Sequence, residues 1–462
     1  MLLFCLCLNN RRFVLNFLNS FNYAIKVITF DVEAAMLSIK NRKNLVLVVA
    51  STGVFFEALD IAIVNLAMPL VQQYFHLAND QVQWVQTFYI LLYGAFLLVG
   101  GKLADTIGRR KTFVIGNVLF LITSLSAAAS PNFQMLVASR AIQGIGAALM
   151  MPSALSIITN TFTDGSERGR AIGIFGAFAA VGSASGMSVG GLIATYFGWQ
   201  SIFLINIPVI ATTLVLTFLY IPKNDSRGAS LAGMFRSFVP MSLFRIPDAM
   251  LGAGVMMLLG AFFTGFLFLI SMLLQNNMHY SAAFAGMLLF PFSLLSAITS
   301  KFALPYLMRR LMVHQAAILG MMLMVIGALL VIASMTWNYN LPLLLVSFAC
   351  VSGVGMAVCF TTLTVLSVQK VPAHHHGVMS GLGTTLYFVG GGIGLASLSL
   401  VMDGRNGNDI SQLSVVVLMM FAVAAVAVLL YFGVRNLSDS HVAGGSGPRP
   451  GNLSQGANRE AA

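Results

Sequence analysis

Long apolar runs separated by short polar links form the pattern of this chain. After Lys43 there are twelve such runs, and their residues do not alternate between apolar and polar as they do in barrel strands. Each run has roughly the 20 residues that a helix needs to cross the apolar core of a bilayer. The sequence therefore predicts an all-α integral membrane protein with twelve transmembrane helices. The predicted spans are 44–70, 82–101, 112–130, 133–160, 170–192, 200–221, 249–274, 282–304, 313–335, 341–368, 377–402 and 411–434.

Lysine and arginine are concentrated in the links on one side of the predicted helices, and only Arg405 lies in an opposite link. Links rich in these cations stay on the cytoplasmic side of a membrane. We therefore expect a multi-pass protein of the cell inner (plasma) membrane with both termini in the cytoplasm. The basic links are 102–111, 161–170, 222–248, 301–312 and 369–376.

The composition agrees with a protein surrounded by lipid. Of the 462 residues, 58% are hydrophobic and 8% are charged, with a mean hydropathy of +0.87, whereas globular domains are about a quarter charged. The net charge of +11 comes from the basic links rather than from one continuous patch. We therefore expect a lipid bilayer around the chain and no nucleic-acid partner.

No pattern in the sequence predicts a metal site or an enzyme. The four cysteines lack metal-ligand spacing, and no ATP-binding or zinc-protease motif is present. We interpret the tract His374–His376 as a solvated turn, because consecutive residues do not all face one ion. We expect no metal and no cofactor, with a proton gradient as the energy source.

The link at 222–248 is the longest internal one and divides the spans into two sets of six. We therefore predict an N-terminal bundle at 44–221 and a C-terminal bundle at 249–434, related by pseudo-symmetry. Four glycines of the first half recur 208 positions later in the second. Such parallel repeats are typical of secondary transporters, whose substrate site lies near the midplane between the halves. The glycines are Gly169, Gly173, Gly182 and Gly186, followed by Gly377, Gly381, Gly390 and Gly394.

Two terminal segments flank the bundles. Residues 1–43 are predicted to be a cytoplasmic extension, and 435–462 a disordered cytoplasmic tail of low complexity. Residues 1–35 lack the charge order and the cleavage site of a secretory signal. We interpret them as an upstream-extended start of the sequence, with an amphipathic interfacial helix as the alternative.

The most elaborate charged link runs from Gly101 to Lys111. It holds two glycines that allow a sharp turn, an aspartate at the end of one helix and three cations before the next. We interpret the link as a cytoplasmic hinge. Asp105 is expected to pair with Arg109 or with the end of a second-half helix and to hold the inside closed. The predicted gating residues of this link are Gly101, Asp105, Gly108, Arg109 and Arg110.

Several stretches resemble signatures of the major facilitator superfamily. Gly101–Lys111 resembles the signature of its helix 2–3 loop, and Arg140–Ala147 that of helix 4. Gly182–Gly191 resembles its antiporter signature. Leu59–Pro69 and Trp199–Pro208 are similar to the drug/proton antiporter branch. The resemblance implies two six-helix bundles that rock about a central site.

The chain departs from this resemblance at four places. The drug/proton antiporter branch usually has fourteen helices, but the link at 222–248 is too short and polar for two more, so twelve are expected. Met187 stands where the antiporter signature has proline. Gln200 and Ser201 replace an Arg-Trp pair. The second-half copy of the hinge, Lys301–Arg310, has lost both glycines and the acid.

Glu57 and Asp60 lie near the middle of the first span, three residues apart and thus on one helix face. Ionised groups at this depth are costly and usually face a cavity. Two neighbouring carboxylates in a low dielectric disfavour double ionisation, so one of them can bind a proton on one side and release it on the other. We interpret both as proton-coupling residues. The alternative is a permanently protonated acid that bonds to a neighbouring helix.

Arg140 is the only cation well inside a span, and it should pair with a carboxylate or bond to backbone carbonyls. The resemblance implies a part in proton transfer, and a structural ion pair is the alternative. Neutral polar residues in spans usually join helices, but Gln143 is one turn from Arg140 and is a candidate for substrate or relay contact. A cavity rich in methionine and phenylalanine would accept varied apolar compounds. The predicted substrate-binding residues are Asn65, Gln143, Tyr89, Phe263 and Tyr387.

A ridge of small residues in the fifth span allows close helix packing and is interpreted as a seam that seals one face of a transporter. Ordinary small-residue packing would give the same pattern. The second-half repeat at Gly390 and Gly394 should behave likewise. The predicted gating glycines of the ridge are Gly182, Gly186, Gly190 and Gly191.

These features predict a proton-coupled antiporter that exports amphipathic, lipophilic or cationic compounds (multidrug efflux) by alternating access. The alternative within the same fold is a carrier for a specific metabolite, sugar or peptide. A membrane-embedded enzyme or sensor is disfavoured, since neither a catalytic cluster nor a large soluble domain is present; a non-transporting scaffold is a further alternative. The expected partners are a small-molecule substrate and protons, with a periplasmic adaptor as the alternative to a monomer acting alone.

Overall fold

The structure, a computed structural model, describes residues 42–222, 241–372, 375–402 and 411–444. Within these ranges there is no β-strand, and twelve helices are long and apolar enough to cross a membrane. The predicted number of spans is therefore confirmed. The helices are α1 Lys43–Phe75, α2 Asn79–Ile107, α3 Arg109–Ala128, α4 Phe133–Thr161, α5 Gly165–Phe197, α6 Ser201–Tyr220, α7 Pro247–Asn277, α8 Ala282–Arg310, α9 Val313–Thr336, α10 Leu341–Val368, α11 His376–Ser399 and α12 Gln412–Gly433.

Several helices extend beyond their predicted spans, and α2 and α8 run furthest into the basic links. α2 continues to Ile107 and α8 to Arg310, so most of each link predicted there is helical. Hydropathy marks where a helix leaves the lipid, whereas its backbone hydrogen bonds continue until a residue breaks them. Gly108 ends α2 with a φ of 103°, which glycine adopts readily. The prediction that Gly101 also forms a turn is wrong, because Gly101 lies inside α2.

The predicted linker between the halves is described only at its end, since residues 223–240 lie outside the described ranges. A short 3₁₀ helix spans Met241–Arg245 and buries Leu243 against Ala253 and Met379. α7 begins at Pro247, a position where proline loses no helical hydrogen bond. The predicted extension up to residue 41 and the part of the predicted tail after residue 444 also lie outside these ranges. The prediction that the tail is disordered from residue 435 is wrong for residues 435–444, because the last helix continues to Gly444.

Glycines bring two pairs of helices into close contact. A Cβ at Gly182 of α5 would meet the carbonyl oxygen of Phe55 in α1. A Cβ at Gly390 of α11 would likewise meet the carbonyl oxygen of Met257 in α7. The ridge and its repeat therefore have the same role in both halves, because each lets two helix backbones come into contact. Further glycines in these two contacts are Gly186 and Gly190 of α5, which face α1, and Gly394 of α11, which faces α7.

The two ends of the molecule differ in charge. The end at which the links carry the cations is called the basic end. The other end is called the opposite end. The basic end is marked by Arg109, Arg168, Arg245, Arg310 and Lys370, and the opposite end by His76 and His279.

The bundles contact each other at the opposite end, where α5 meets α8. The backbone N–H of Ala283 donates to Oγ1 of Thr195 at 3.0 Å. A Cβ at Gly191 would meet the carbonyl oxygen of Ala282. Of the four glycines in the predicted ridge, Gly191 is thus the one that faces the other bundle. The other three face α1 in the same bundle, so the role of the whole ridge as a seam stays a prediction.

One stripe of α5 is uncovered toward the basic end. A Cβ at Gly169, Gly173 or Gly176 would meet no atom within 4 Å. These glycines share a helical stripe with Met187 and Gly191, which contact α8 nearer the opposite end. The conformation is therefore closed at the opposite end and open along this stripe at the basic end.

Three helices of the second bundle contain a π-helical turn. These turns lie at the end of α7, in the basic half of α8 and in the middle of α10. The described part of the first bundle contains no such turn. Single π turns inside α-helices are rare and are frequently found at functional sites. The turns span Leu273–Asn277, Thr299–Ala303 and Ala349–Gly355.

Candidate transport site

The candidate site begins with an ion pair inside the first bundle. Nη1 of Arg140, on α4, lies 2.6 Å from Oδ2 of Asp60, on α1, and neither side chain is exposed. The expectation that Arg140 pairs with a carboxylate is thus fulfilled. A buried charge is tolerated only when it is paired and when its other donors are satisfied, so the surroundings of the pair are informative.

Three further groups from α2 and α4 surround the guanidinium of Arg140. Nη1 also donates to Oε1 of Gln143 at 2.7 Å, and Nη2 donates to Oε1 of Gln86 at 3.2 Å. The ring of Tyr89 lies against the guanidinium, with 4.0 Å between its centroid and Cζ. Gln143 and Tyr89 were predicted to bind substrate. In this structure both side chains contact Arg140 instead.

A second layer joins the ion pair to α3 and α6. Nε2 of Gln143 donates to Oγ of Ser124 at 2.8 Å. Nδ2 of Asn206 lies 3.4 Å from Oδ1 of Asp60 and 3.4 Å from Oγ of Ser124. All of these groups belong to the first bundle, so Asp60 is enclosed by its own half. The sequence reasoning missed Gln86 and Ser124, which look like any other polar residue in a span.

Glu57 has a different environment, although it is only one turn from Asp60. Its side chain is 6% exposed, and it interacts electrostatically with Asp60 and with the hydroxyl of Tyr93. The Tyr93 hydroxyl has no well-formed hydrogen bond. No cation of the described residues forms an ion pair with Glu57. One acid of the predicted pair is therefore neutralised by the protein, and the other is not.

Aromatic rings from both bundles meet beside Glu57. The rings of Tyr93 on α2 and Phe388 on α11 are 4.3 Å apart between centroids. Phe388 packs on Tyr387 at 5.1 Å, and Tyr387 packs on Phe360 of α10 at 5.5 Å. Tyr387 lies close enough to Glu57 for an electrostatic interaction. This group, Glu57 with the four rings, is called the aromatic site below.

The other predicted substrate residues lie elsewhere. Nδ2 of Asn65 donates to the carbonyl oxygen of Ile61 at 3.0 Å, within α1. Phe263 is a partly buried residue of α7 that packs against the core. Of the five predicted substrate residues, Tyr387 is the one that the structure places at the aromatic site.

The predicted latch at Asp105 does not form in this conformation. Asp105 is exposed at the end of α2, and no ion pair joins it to another described residue. Nε of Arg109 is buried without a partner, and Arg110 donates to the carbonyl oxygen of Phe218 at 3.0 Å. Because the structure is open along α5 at this end, a latch that acts in the closed state stays a prediction.

An ion pair that the sequence did not reveal joins two helices of the second bundle. Nζ of Lys370, after α10, lies 2.7 Å from Oδ2 of Asp248, in the first turn of α7. Of the histidine tract, His374 lies outside the described ranges, and Nε2 of His376 is 2.8 Å from the carbonyl oxygen of Val371. Among the described residues, no three His, Cys, Asp or Glu side chains are grouped so as to hold a metal ion.

Comparison with known proteins identifies the family. A sequence model of the Major Facilitator Superfamily matches residues 50–395. The chain belongs to the major facilitator superfamily. The twelve helices, the repeated glycine contacts and the two bundles are thus features of a major facilitator fold.

Similar major facilitator proteins include named drug-resistance transporters. The chain is 30% identical to the multidrug resistance protein Stp of Mycobacterium tuberculosis, over 78% of this chain and 76% of that protein. It is 28% identical to the multidrug efflux pump LfrA of Mycolicibacterium smegmatis, over 77% of this chain and 80% of the other.

Among solved structures, a mutant of the nucleoside transporter NupG has the same fold. It matches with a TM-score of 0.69 and 13% identity, over 85% of this chain and 99% of that one. At this identity the likeness concerns the fold alone.

Proposed function

We propose that this major facilitator protein is a proton-coupled antiporter that exports amphipathic compounds, lipophilic or cationic, by alternating access. The names of its relatives Stp and LfrA support export of several drugs. Links rich in Lys and Arg stay in the cytoplasm, so the basic end faces inward and both termini are cytoplasmic. The protein acts as a monomer in the inner membrane and is driven by the proton gradient.

The observation that carries this proposal is the contrast between two acids on one helix. Asp60 is fully buried and already paired with Arg140. Glu57 is nearly as buried, and the described residues supply no cation for it. A buried carboxylate without a cation is stable only when it carries a proton or when a ligand brings a positive charge. Glu57 therefore holds either a proton or the cationic group of a substrate.

Because a proton and a cationic substrate exclude each other at Glu57, their movements are coupled as antiport. A cationic compound that enters from the open basic end displaces the proton of Glu57. At the opposite end another proton binds to Glu57, and the compound is released there. The proposal moves the exchange from Asp60, where the sequence argument placed it together with Glu57, to Glu57 alone. Asp60 and Arg140 then hold the first bundle together around the exchanging group.

The aromatic site accounts for the amphipathic character of the compounds. Aromatic faces attract cations within about 6 Å of a ring centroid, and the four rings offer a broad apolar contact. Phe388 and Tyr387 lie on the second bundle and Tyr93 on the first. A substrate that contacts these rings touches both halves, as expected for a carrier that rocks about a central site.

Proton flux in proteoliposomes tests the proposal. The full chain is reconstituted with a pH-sensitive dye inside, and tetraphenylphosphonium is added as the probe. We expect it to drive proton movement, and we expect Glu57→Gln to reduce this flux by about tenfold or more, because a neutral amide neither releases a proton nor pairs with a cation.

Glu167→Gln is the matched control, since Glu167 is an exposed acid that pairs with Lys43 at 3.4 Å. It should leave the flux unchanged. Coupled flux that survives in Glu57→Gln would overturn the assignment of the exchange to Glu57. A protein that moves no tetraphenylphosphonium or neutral lipophile but carries one sugar, peptide or metabolite would overturn the drug-export proposal itself.

A further inference from the structure

Pro69 interrupts the hydrogen-bond ladder of α1. It lies inside the helix, and proline has no backbone N–H to donate to the carbonyl four residues earlier. That carbonyl belongs to Asn65. The ring of a helical proline also pushes this carbonyl outward. α1 therefore presents an acceptor on its side that its own backbone does not use.

A side chain of the other bundle takes up this acceptor. Oγ of Ser271, on α7, donates to the carbonyl oxygen of Asn65 at 2.7 Å. Ser271 is 1% exposed, so the bond is shielded from solvent. The bond joins α7 to α1, and thus one half of the protein to the other, on the side of the opposite end.

Gln275, one turn after Ser271, extends this contact. Its Nε2 lies 3.1 Å from the carbonyl oxygen of Leu66 and 3.0 Å from Oγ of Ser271. Gln275 belongs to the π-helical turn Leu273–Asn277, which also presents the next amide to α1. Nδ2 of Asn276 donates to Oε1 of Gln72 at 3.1 Å. All of these groups are neutral.

We propose that Ser271 and Gln275 are positioning residues of the transport cycle, which hold the opposite end closed. Ser271 binds the Asn65 carbonyl that Pro69 makes available, and Gln275 binds the neighbouring carbonyl of Leu66. The proposal rests on the proposed alternating access. These bonds must break whenever the opposite end opens. One neutral hydrogen bond between membrane helices shifts such an equilibrium by only about threefold, so several can hold a closed state that still opens in every cycle.

Distance measurements on the full chain test this proposal. Spin labels are attached at Gln134→Cys and Trp337→Cys, two exposed positions at the opposite end of different bundles, in a background without native cysteines. Ser271→Ala should increase, by about threefold, the fraction of molecules in which the two labels are far apart. It should also change the substrate concentration needed for half-maximal export, because the closed state becomes less populated.

Ser347→Ala is the matched control. Ser347 is a fully buried serine that donates to the carbonyl oxygen of Gly327 at 2.7 Å, but this bond lies within the second bundle. Its loss should leave the distance distribution unchanged. If Ser271→Ala leaves the distribution unchanged as well, the proposal is overturned.

Pro69→Ala tests the origin of the acceptor. This variant returns an N–H to the Asn65 carbonyl, so Ser271→Ala should have a smaller effect on the distances in a Pro69→Ala background. An equal effect in both backgrounds would show that the proline does not create the acceptor. If the Glu57 proposal is wrong, Glu57→Gln leaves the proton flux unchanged, and the distance measurements are not affected. The two proposals can therefore be disproved independently.

Discussion

Nη1 of Arg140 and Oδ2 of Asp60 are 2.6 Å apart and fully buried within the first bundle. Amide groups of Gln143, Gln86 and Asn206 bond to the pair, and the hydroxyl of Ser124 accepts a bond from Gln143, all within the same half. Glu57, one turn away on α1, lies instead beside rings from both halves. One helix thus carries an acid that the fold pairs with a cation and another for which the described residues supply no cation.

Removal of Arg140 should be more harmful than removal of both members of the pair. Arg140→Ala leaves Asp60 buried without a cation, and breaking a buried pair in this way costs about 3–5 kcal/mol of stability. Adding Asp60→Asn removes the stranded charge, so the double variant should recover part of the loss. Thermal unfolding in detergent, followed by the yield of monodisperse protein, measures both. A double variant less stable than Arg140→Ala would contradict the ion-pair interpretation.

The glycine contact between α5 and α1 should be intolerant of a side chain. A Cβ at Gly182 meets the carbonyl oxygen of Phe55, and neither backbone can move without shifting a helix. We expect Gly182→Ala to lower stability by about 1–3 kcal/mol through overpacking. Gly176→Ala is the control on the same helix, because its Cβ would meet no atom within 4 Å. Equal thermal stability of the two variants would contradict this contact.

The open stripe of α5 should matter for transport and not for folding. Gly173 has no neighbour within 4 Å of a Cβ in this conformation, yet it lies on the face that meets α8 near the opposite end. Gly173→Leu should therefore fold normally and export poorly, because a large side chain obstructs closure of the basic end. Export from loaded vesicles and the folded yield separate the two effects. Full export by the variant would mean that this stripe never closes.

The first turn of α5 should depend on pH through Asp164. Its Oδ1 accepts the N–H groups of Glu167 at 3.1 Å and Ser166 at 2.9 Å, and these bonds hold the pKa of Asp164 below its ordinary value of 3.8. Because the folded pKa lies below the unfolded one, the stabilising contribution is present above pH 3.8 and is lost as the pH falls through the folded pKa.

Hydrogen exchange of the backbone amides in this turn measures the effect. Protection should decrease when the pH falls from neutrality to below 3.8, and Asp164→Asn should be insensitive because its amide oxygen caps the helix at any pH. Both chains should carry Glu167→Gln, since Glu167 is a second acid in the same turn. The same pH response with and without Asp164→Asn would exclude Asp164 as its cause.

The sequence was sufficient for the architecture because the bilayer imposes a length and a hydropathy on every helix. It also indicated that Arg140 needs a carboxylate and that Gly182 and Gly390 bring backbones together. The helix ends were less predictable. α8 continues through Lys301 to Arg310, since a helix outside the lipid no longer needs apolar residues.

Partners in space could not be derived from the spacing along the chain. Glu57 and Asp60 are three apart and were assigned one role, but the packing of α2, α4 and α11 gives them different neighbours. Pro69 marks the carbonyl of Asn65 as free, but the identity of its donor, Ser271, depends on how α7 packs against α1. The pair of Lys370 and Asp248 joins residues that are distant in sequence and individually ordinary.

The π-helical turns make the helices of the two duplicated halves different. Each turn inserts one residue, which rotates the side chains beyond it by about 100° relative to an unbroken α-helix. α8 and α10 therefore present one set of residues before the turn and a rotated set after it, whereas the turn of α7 lies at the end of that helix. If the turn in α10 relaxes, the half of that helix beyond it rotates while the rest stays in place. Among the described residues, the helices with such a turn belong to the second half, whereas the first half holds the buried ion pair of Asp60 and Arg140.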